Sequence, residues 1–319
     1  MSLPNVVLPW SSQNAPSLSG GPTSGSAPVS VPEPEPEPGH GPIAAALYRA
    51  GFTASAAVLV EASSDPSVHA LVEQWRETAA ADAALADLIA RQGGALIPSV
   101  ATRRDGSPRF VVRFSSAAAA VAAIDAEHGD RGVDPELRLF LDEALRDGDR
   151  FVDADPGDGF GALSAASGSA SVSVIVLCDA PEHCALISDS AQASGVEGRV
   201  IARVASTLDQ VPTVPTTPGA STLVHAGSAA SVAVLLRGVR GALERREIGA
   251  VAWRCGLSGA NGPDAESMQV AAAVLGMFGF IHFALASGEA GTELVPAEAM
   301  ATNAMIFSLE PSFLARFAG

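Results

Sequence analysis

The sequence predicts an α/β fold over residues 131 to 319, in which a mainly parallel, Rossmann-like sheet is covered by helices on both faces. Three observations predict this fold. From Asp134 onward, strand-like and helix-like segments alternate, which is the pattern of repeated strand–helix–strand units. A glycine-rich run follows Asp153, where one of these strands leads into a helix. The last two strand-like segments, Ile281 to Leu285 and Asn303 to Leu309, can pair as an antiparallel hairpin with a long loop.

The segment from residue 1 to residue 40 is rich in proline, serine and glycine and ends in a Pro-Glu repeat. Such a segment buries too little apolar surface to offset the entropy that it would lose on ordering, so we predict a disordered tail. The repeat itself is expected to form a stiff, extended spacer. A protein partner that binds the Pro-Glu tail is the alternative to a plain linker.

Residues 41 to 130 are predicted to be mostly helical. Helical spacing of apolar residues indicates helices at Ile43 to Ala50, Val68 to Arg91 and Ser115 to Ala126. The segment from Arg109 to Phe114 contains mostly apolar and β-branched residues, which predicts a strand. No residue pattern for chemistry occurs here, so we expect a cap, a lead-in layer or an interaction module.

The elements of the α/β domain follow one another in a regular order. It begins with an amphipathic helix, Pro135 to Arg146. Strands are then expected at Asp149 to Asp153, Ser173 to Leu177, Arg199 to Val204, Ser221 to His225 and Ala250 to Trp253. Helices are expected from the glycine-rich turn to Ser167 and at Pro181 to Ser194, Ala229 to Glu244 and Ala265 to Phe278.

Composition excludes several classes of partner. The formal net charge is −16, which would repel a polyanion, so neither nucleic acid nor an anionic membrane surface is an expected partner. The three cysteines form no CxxC pattern, which favours buried thiols over a disulfide framework, and no zinc-ligand spacing predicts a metal site. The chain shows neither a signal peptide nor an apolar run that could cross a membrane, so we expect a cytoplasmic protein.

The glycine-rich run between Phe151 and Gly161 is the candidate ligand site. Gly157, Gly159 and Gly161 allow a tight turn and a close approach of the backbone to a ligand. The helix that follows offers free N–H groups, and Asp153 ends the preceding strand, where it could accept a hydrogen bond. The alternative is a glycine-rich surface turn that binds nothing.

A second acid, Asp179, follows the next predicted strand about twenty residues beyond the glycines. An acid at this place binds ribose hydroxyls in dinucleotide folds, although Asp179 could instead cap the next helix. The run from Gly157 to Ala162 also satisfies the looser nicotinamide fingerprint, which leaves a nicotinamide-dependent oxidoreductase as an alternative. Two features favour S-adenosylmethionine over a nicotinamide cofactor. Asp153 precedes the glycines at the end of its strand, and an amphipathic helix precedes that strand.

The stretch Pro135 to Asp153 resembles the first helix and first strand of the FkbM family of S-adenosylmethionine-dependent methyltransferases, and a version of that family's glycine motif follows it. Pro181, Glu182 and the helix as far as Gly195 resemble the family's second motif. The resemblance implies a class I methyltransferase fold and, in many members, methyl transfer to oxygen on a small molecule or glycan. It places the cofactor across Asp153, Asp155, Gly157, Gly159, Gly161 and Asp179.

Four positions depart from the family pattern. Asp155 stands where the family begins its loop with glycine, and Cys178 stands at the place of the ribose-binding acid, with Asp179 one residue later. Near the run from Arg254 to Gly259, the family's two acids are replaced by Gly256 and Ser258. These losses favour an alternative function, a non-catalytic methyltransferase-like scaffold that binds partners.

His225 is the candidate catalytic residue. It ends a predicted strand on the ligand side, so it could act as a general base, although a structural role is the alternative for it as for His183 and His282. Methyl transfer depends mainly on the alignment of donor and acceptor, so the reaction does not require a base.

Overall fold

The computed structural model describes most of the α/β domain and parts of the region before it. The described residues are 6–7, 40–49, 56–59, 86, 96–98, 110–114, 116–128, 133–168, 172–204, 219–227, 232, 239–254, 265–288, 291–297 and 304–317.

The helices and strands follow the predicted order closely. In chain order they are β1 (Val6–Val7), α1 (His40–Arg49), β2 (Leu96–Pro98), β3 (Val111–Arg113), α2 (Ala117–His128), α3 (Pro135–Ala144), β4 (Arg150–Asp153), α4 (Phe160–Gly168), β5 (Ser173–Cys178), α5 (Pro181–Ala193), β6 (Val200–Val204), β7 (Thr222–Ala226), α6 (Arg240–Glu244), β8 (Ile248–Arg254), α7 (Ala265–Met277), β9 (Ile281–Gly288), β10 (Gly291–Pro296), β11 (Met305–Leu309), α8 (Pro311–Leu314) and a 3-10 turn (Ala315–Phe317).

The large sheet has nine strands in the order β1-β10-β9-β11-β8-β7-β4-β5-β6. Strands β4 to β8 are parallel to one another, whereas β11 is antiparallel to both β8 and β9. From β6 at the edge the chain returns to β7 beside β4, so the direction of winding reverses between β4 and β7. The predicted Rossmann-like α/β fold, with a mainly parallel sheet and a C-terminal antiparallel hairpin, is confirmed.

The central strands are buried on both faces, which explains their continuous apolar sequences. Side chains alternate across the sheet, so Phe151 and Val174 belong to one hydrophobic cluster while Val152 and Ile175 belong to the other. Trp253 is the largest fully buried side chain among the described residues and lies in the second cluster.

The C-terminal strands pair as predicted, but the connection between them is not a loop. Ile306 of β11 pairs with Ala284 of β9, and β10 occupies part of the predicted loop and pairs with the other edge of β9. Leu294 of β10 is buried, whereas Glu293 and Val295 on either side of it are only partly buried. This pattern explains why the hydrophobic sequence did not predict the strand.

The region before the α/β domain contains a small sheet as well as helices. The predicted strand β3 pairs antiparallel with β2, which was not predicted. Buried residues of α1, β3 and α2 belong to the same hydrophobic cluster as residues of α3 and α4. The proposed boundary between residues 41–130 and 131–319 stays a prediction.

Two sequence predictions fall mostly outside the described residues. These are the tail over residues 1 to 40, of which β1 and the first residue of α1 are described, and the helix Val68 to Arg91. Of the predicted helix Ala229 to Glu244, α6 covers the end. Within the described part of the chain, no helix is long and apolar enough to cross a membrane.

Candidate functional site

The candidate site lies at the carboxyl ends of β4 and β7, where the winding direction of the sheet reverses. Open α/β sheets bind ligands in the crevice outside such a reversal. The two strands are in register here, because Asp153 pairs with His225 and the N–H of Ala154 donates to the carbonyl of His225 at 2.9 Å. The last side chain of β4 therefore lies beside the fourth residue of β7.

Asp153 and His225 form a buried pair. His225 Nδ1 and Asp153 Oδ1 are 2.8 Å apart, and the side chains are 6% and 1% exposed. Burial alone lowers the pKa of His225, but the carboxylates of Asp153, Asp134 and Asp155 raise it, and the net shift of this pKa is upward. The neighbouring carboxylates therefore stabilise the protonated imidazole more than burial disfavours it.

Among the residues that the structure describes, the other carboxylate oxygen of Asp153 has no hydrogen-bond partner. Oδ2 is buried and unpartnered, and it faces the first turn of α4. A Cβ atom on Gly161 would lie 3.2 Å from this oxygen and 3.0 Å from Leu137 Cδ2. Glycine at position 161 thus lets α4 approach β4 and α3 closely, which is the packing role of the last glycine in such motifs.

The first two glycines shape the loop between β4 and α4. Gly157 and Gly159 have φ values of +50° and +89°, which L side chains rarely adopt. The N–H of Gly159 donates to the carbonyl of Pro156 at 2.7 Å and closes a tight turn. A Cβ on Gly159 would lie 3.4 Å from Ile187, whereas one on Gly157 would meet no heavy atom within 4 Å. The loop therefore has open space at Gly157.

Asp155 lies against β7 rather than away from the site. A Cβ atom on Gly227, just after β7, would be 1.3 Å from Asp155 Oδ2, so Gly227 leaves the room that this carboxylate fills. Burial raises the pKa of Asp155, and the neighbouring Asp153 carboxylate raises it further while His225 opposes the shift. The Asp155 carboxylate thus lies against Gly227 at the carboxyl ends of β4 and β7, while the residue as a whole is exposed.

The acid after β5 is exposed and is held by a histidine. Asp179 Oδ1 is 3.1 Å from His183 Nδ1, and His183 Nε2 bonds to the carbonyl of Gly157. The interpretation of Asp179 as the helix cap is wrong, because the N-cap of α5 is Ala180 and no side chain caps it. Cys178 is buried in the core, so Asp179 is the acid that this strand end presents.

Arg254 and His282 each have partners outside the glycine loop. Arg254 ends β8 and forms ion pairs with Asp134 and Glu136 at the start of α3. His282 Nδ1 is 2.8 Å from Ser308 Oγ and its Nε2 is 3.1 Å from the carbonyl of Ala272, inside the C-terminal part of the sheet. It therefore has a structural role. Gly256 and Ser258 lie outside the described residues.

The structure brings Asp153, Asp155, Gly157, Gly159, Gly161 and His225 together, with Asp179 at the rim. Sequence reasoning missed Gly227, which lies two residues after His225. A glycine at the end of a buried strand indicates a close approach by another chain segment, so this signal was present. It also missed Asp134, whose left-handed φ of 45° in a non-glycine residue has no sequence signal.

Comparison with known proteins gives a likeness of fold. No protein-family model matches the chain, and no curated protein sequence is significantly similar to it. A SAM-dependent O-methyltransferase from Thermotoga maritima is 18% identical with a TM-score of 0.37, and the match covers 56% of this chain and 66% of that chain. This chain therefore spans just under two thirds of that structure's length.

Two further solved structures are similar to the same degree. For a precorrin-6y C5,15-methyltransferase from Geobacter metallireducens the identity is 15%, the TM-score 0.39, and the coverage 57% of this chain and 91% of that chain. For an rRNA methylase from Streptococcus thermophilus the values are 18%, 0.38, 55% and 94%. Because these TM-scores lie below 0.5, the fold assignment rests on the strand order.

Proposed function

We propose that the chain is an S-adenosylmethionine-dependent methyltransferase of FkbM type that transfers a methyl group to an oxygen atom of a small molecule or glycan. One observation carries the proposal: the glycine loop and the buried Asp153 lie at the winding reversal of a sheet with an antiparallel β11. The net charge of −16 disfavours an RNA or DNA acceptor. S-adenosylmethionine would supply an electrophilic methyl group on a sulfonium.

The residues of the loop fit such a cofactor in part. Gly157 borders open space, and Asp153 Oδ2 is a buried acceptor without a partner. Gly159 and Gly161 have no Cβ atom, so the backbone at these positions leaves room for a cofactor. At the rim, the carboxylate of Asp179 would accept hydrogen bonds from ribose hydroxyls. Asp155 does not fit, since its side chain fills the crevice beside Gly227.

His225 would accept the proton of the acceptor hydroxyl. Its Nδ1 faces Asp153, while Nε2 has no partner among the described residues and is not one of the buried, unpartnered polar atoms. Nε2 therefore faces the small exposed part of the side chain. A carboxylate that fixes the ring through Nδ1 leaves Nε2 as the proton acceptor once the ring is neutral.

The strand order also bears on the nicotinamide alternative. Dinucleotide-binding domains of the Rossmann type have the order 3-2-1-4-5-6. Here the strand next to β8 is the antiparallel β11, and β9 follows beyond it. This arrangement favours a methyltransferase over an oxidoreductase.

A second candidate function is a non-catalytic methyltransferase-like scaffold. It is favoured by two contacts that fill the site, the Asp155 carboxylate against Gly227 and the bridge of His183 between Asp179 and Gly157. In this case the acidic surface and the Pro-Glu tail would bind partners.

Calorimetry with S-adenosylmethionine distinguishes the two functions. We expect the wild type to bind, and Asp155→Gly to bind about tenfold more tightly, a gain of ~1.4 kcal/mol, because the crevice opens and a carboxylate is removed. Asp155→Asn is the matched control, since it removes the charge but keeps a side chain of the same size, and it should bind less tightly than Asp155→Gly. If neither the wild type nor Asp155→Gly binds in folded samples, the scaffold is the correct function.

A further inference from the structure

His183 joins two segments that a cofactor would have to contact. It lies in the first turn of α5, where its ring reaches back to Asp179 and across to the loop before α4. Nδ1 is 3.1 Å from Asp179 Oδ1, and Nε2 bonds to the carbonyl oxygen of Gly157. The side chain of His183 is 27% exposed, so the ring lies over the rim of the site and is not buried in the core.

Both partners of the ring are acceptors. The carbonyl of Gly157 can only accept a hydrogen bond. The hydrogen bond from His183 and the positive charge of its ring hold the pKa of Asp179 below its usual value, so this carboxyl is ionised at neutral pH and also only accepts. Each ring nitrogen must therefore carry a proton for both bonds to form. A neutral imidazole has one N–H and can make only one of them.

The bridge crosses the place that a nucleoside would occupy. Cofactors of open α/β sheets pass over the glycine loop, and their ribose meets an acid after the second strand. Here that loop is represented by Gly157 and that acid by Asp179, and His183 bonds to both. A ribose that binds the carboxylate of Asp179 from the loop side would have to displace the imidazole.

We propose that protonated His183 is a latch that ties the glycine loop to the end of β5, and that S-adenosylmethionine binds when this latch is open. The latch itself depends only on the two hydrogen bonds, whereas its effect on the cofactor rests on the proposed function. His183 is thus a positioning residue that acts through the loop and through Asp179.

The charges around the ring favour its closed state. Asp155 and Asp158 of the loop interact electrostatically with His183, and Asp179 and Glu182 lie beside it at the start of α5. All four of these groups are acids, so the surroundings favour a positive ring. Loss of one of the two ring protons would break one of the two hydrogen bonds and open the latch.

Hydrogen exchange on the protein without cofactor tests the latch directly. After correction for intrinsic exchange rates, we expect the loop amides from Gly157 to Gly159 to exchange at least about fivefold faster at pH 8.5 than at pH 5.5, as one bond of ~1 kcal/mol is lost. In His183→Ala the fast exchange should occur at both pH values. Glu197→Gln, at an exposed position beyond the far end of α5, is the control and should behave like the wild type.

Cofactor affinity gives a second readout. At pH 5.5 we expect His183→Ala to bind S-adenosylmethionine several-fold more tightly than the wild type, with the difference shrinking at pH 8.5. His183→Gln, which can donate one bond to Gly157 but does not titrate, should show an intermediate affinity and, like His183→Ala, a smaller pH dependence than the wild type.

The two readouts separate the two claims. Equal loop exchange at both pH values in the wild type, or identical exchange in the wild type and His183→Ala, would overturn the latch. If no variant binds S-adenosylmethionine while the exchange result holds, the latch stands and the methyltransferase function fails. Tighter binding by the wild type than by His183→Ala at pH 5.5 would show that the ring holds the cofactor, which would also overturn the proposal.

Discussion

At the scale of single residues, two buried or half-buried histidines respond to their surroundings in opposite ways. His225 lies beside three carboxylates, which raise its pKa against the effect of burial. Burial lowers the pKa of His282, whose two ring nitrogens are engaged by Ser308 and the Ala272 carbonyl. Nε2 must donate to the carbonyl of Ala272, so in the neutral ring Nδ1 accepts from the Ser308 hydroxyl.

We expect His225 to stabilise the fold most at low pH. Because its folded-state pKa lies above the ordinary 6.5, its contribution is complete below that value and is lost as pH rises through the folded-state pKa. The difference in unfolding free energy between the wild type and His225→Gln, measured by urea denaturation, should therefore shrink as pH rises. A difference that grows with pH would contradict the raised pKa.

We expect the opposite sign for His282. Its folded-state pKa lies below the ordinary 6.5, so the unfolded chain takes up a proton first as pH falls. The difference in unfolding free energy between the wild type and His282→Asn should decrease as pH falls below about 6.5. Ser308→Ala serves as a second variant, since it removes the acceptor of the Trp253 indole N–H, 3.0 Å away, and should cost ~1–3 kcal/mol at neutral pH.

The residues of the site could be chosen from the sequence, but their contacts could not. The position of Asp153 before the glycines predicted its location at the strand end. The direction of the Asp155 side chain depends on Gly227, which is 72 residues away in the chain. Local patterns contain no information about that pairing, which follows from the placing of β7 beside β4.

At the scale of elements, strand β3 is held on α5 by serine hydroxyls. Ser190 Oγ accepts from the N–H of Arg113 at 2.8 Å, and Ser194 Oγ accepts from the N–H of Val111 at 3.0 Å. Arg113 also forms an ion pair with Asp189 at 2.6 Å. These bonds satisfy the backbone donors on the edge of β3 that does not pair with β2, so the helix takes the place of a third strand.

We expect the double variant Ser190→Ala, Ser194→Ala to loosen β3. Each lost hydrogen bond is worth ~1 kcal/mol, so the amides of Val111 and Arg113 should exchange about fivefold faster or more. Ser188→Ala, an exposed serine on the same helix, is the control. Unchanged exchange at both amides would show that packing of Phe110 against Phe160 alone holds the strand.

Long apolar elements were predictable and short ones were not. The runs of β5 and β8 are buried along nearly their whole length, so their composition alone predicted strands within one or two residues of their observed bounds. Strands β2 and β10 depend on a partner strand for their conformation, and neither has an apolar pattern that reveals it.

At the scale of the whole molecule, one buried carboxylate joins distant parts of the chain. Asp149 is 1% exposed and accepts hydrogen bonds from the N–H groups of Arg146 and Ser221, both at 2.8 Å. The guanidinium of Arg316, from the C-terminal turn, binds both of its oxygens. This pair links the start of β4 to the start of β7 and to the end of the chain.

We expect Asp149→Ala to lower the unfolding free energy by roughly 3–5 kcal/mol, because it leaves a half-buried guanidinium without its partner. Arg316→Ala should cost a similar amount, and the double variant should cost less than the sum of the two. Denaturant titration of the three variants measures this coupling. Additive losses would show that the two residues stabilise the fold independently.

Strand β11 has a consequence for how the protein is made. It lies inside the sheet, between β8 and β9, yet it is the last strand of the chain. On the ribosome, residues 305–309 emerge after both strands that they join, so β8 and β9 cannot be bridged until β11 has been made. A nascent chain stalled between β9 and β11 would expose two unpaired strand edges, which are templates for aggregation. Translational arrest in that interval is therefore hazardous for this protein.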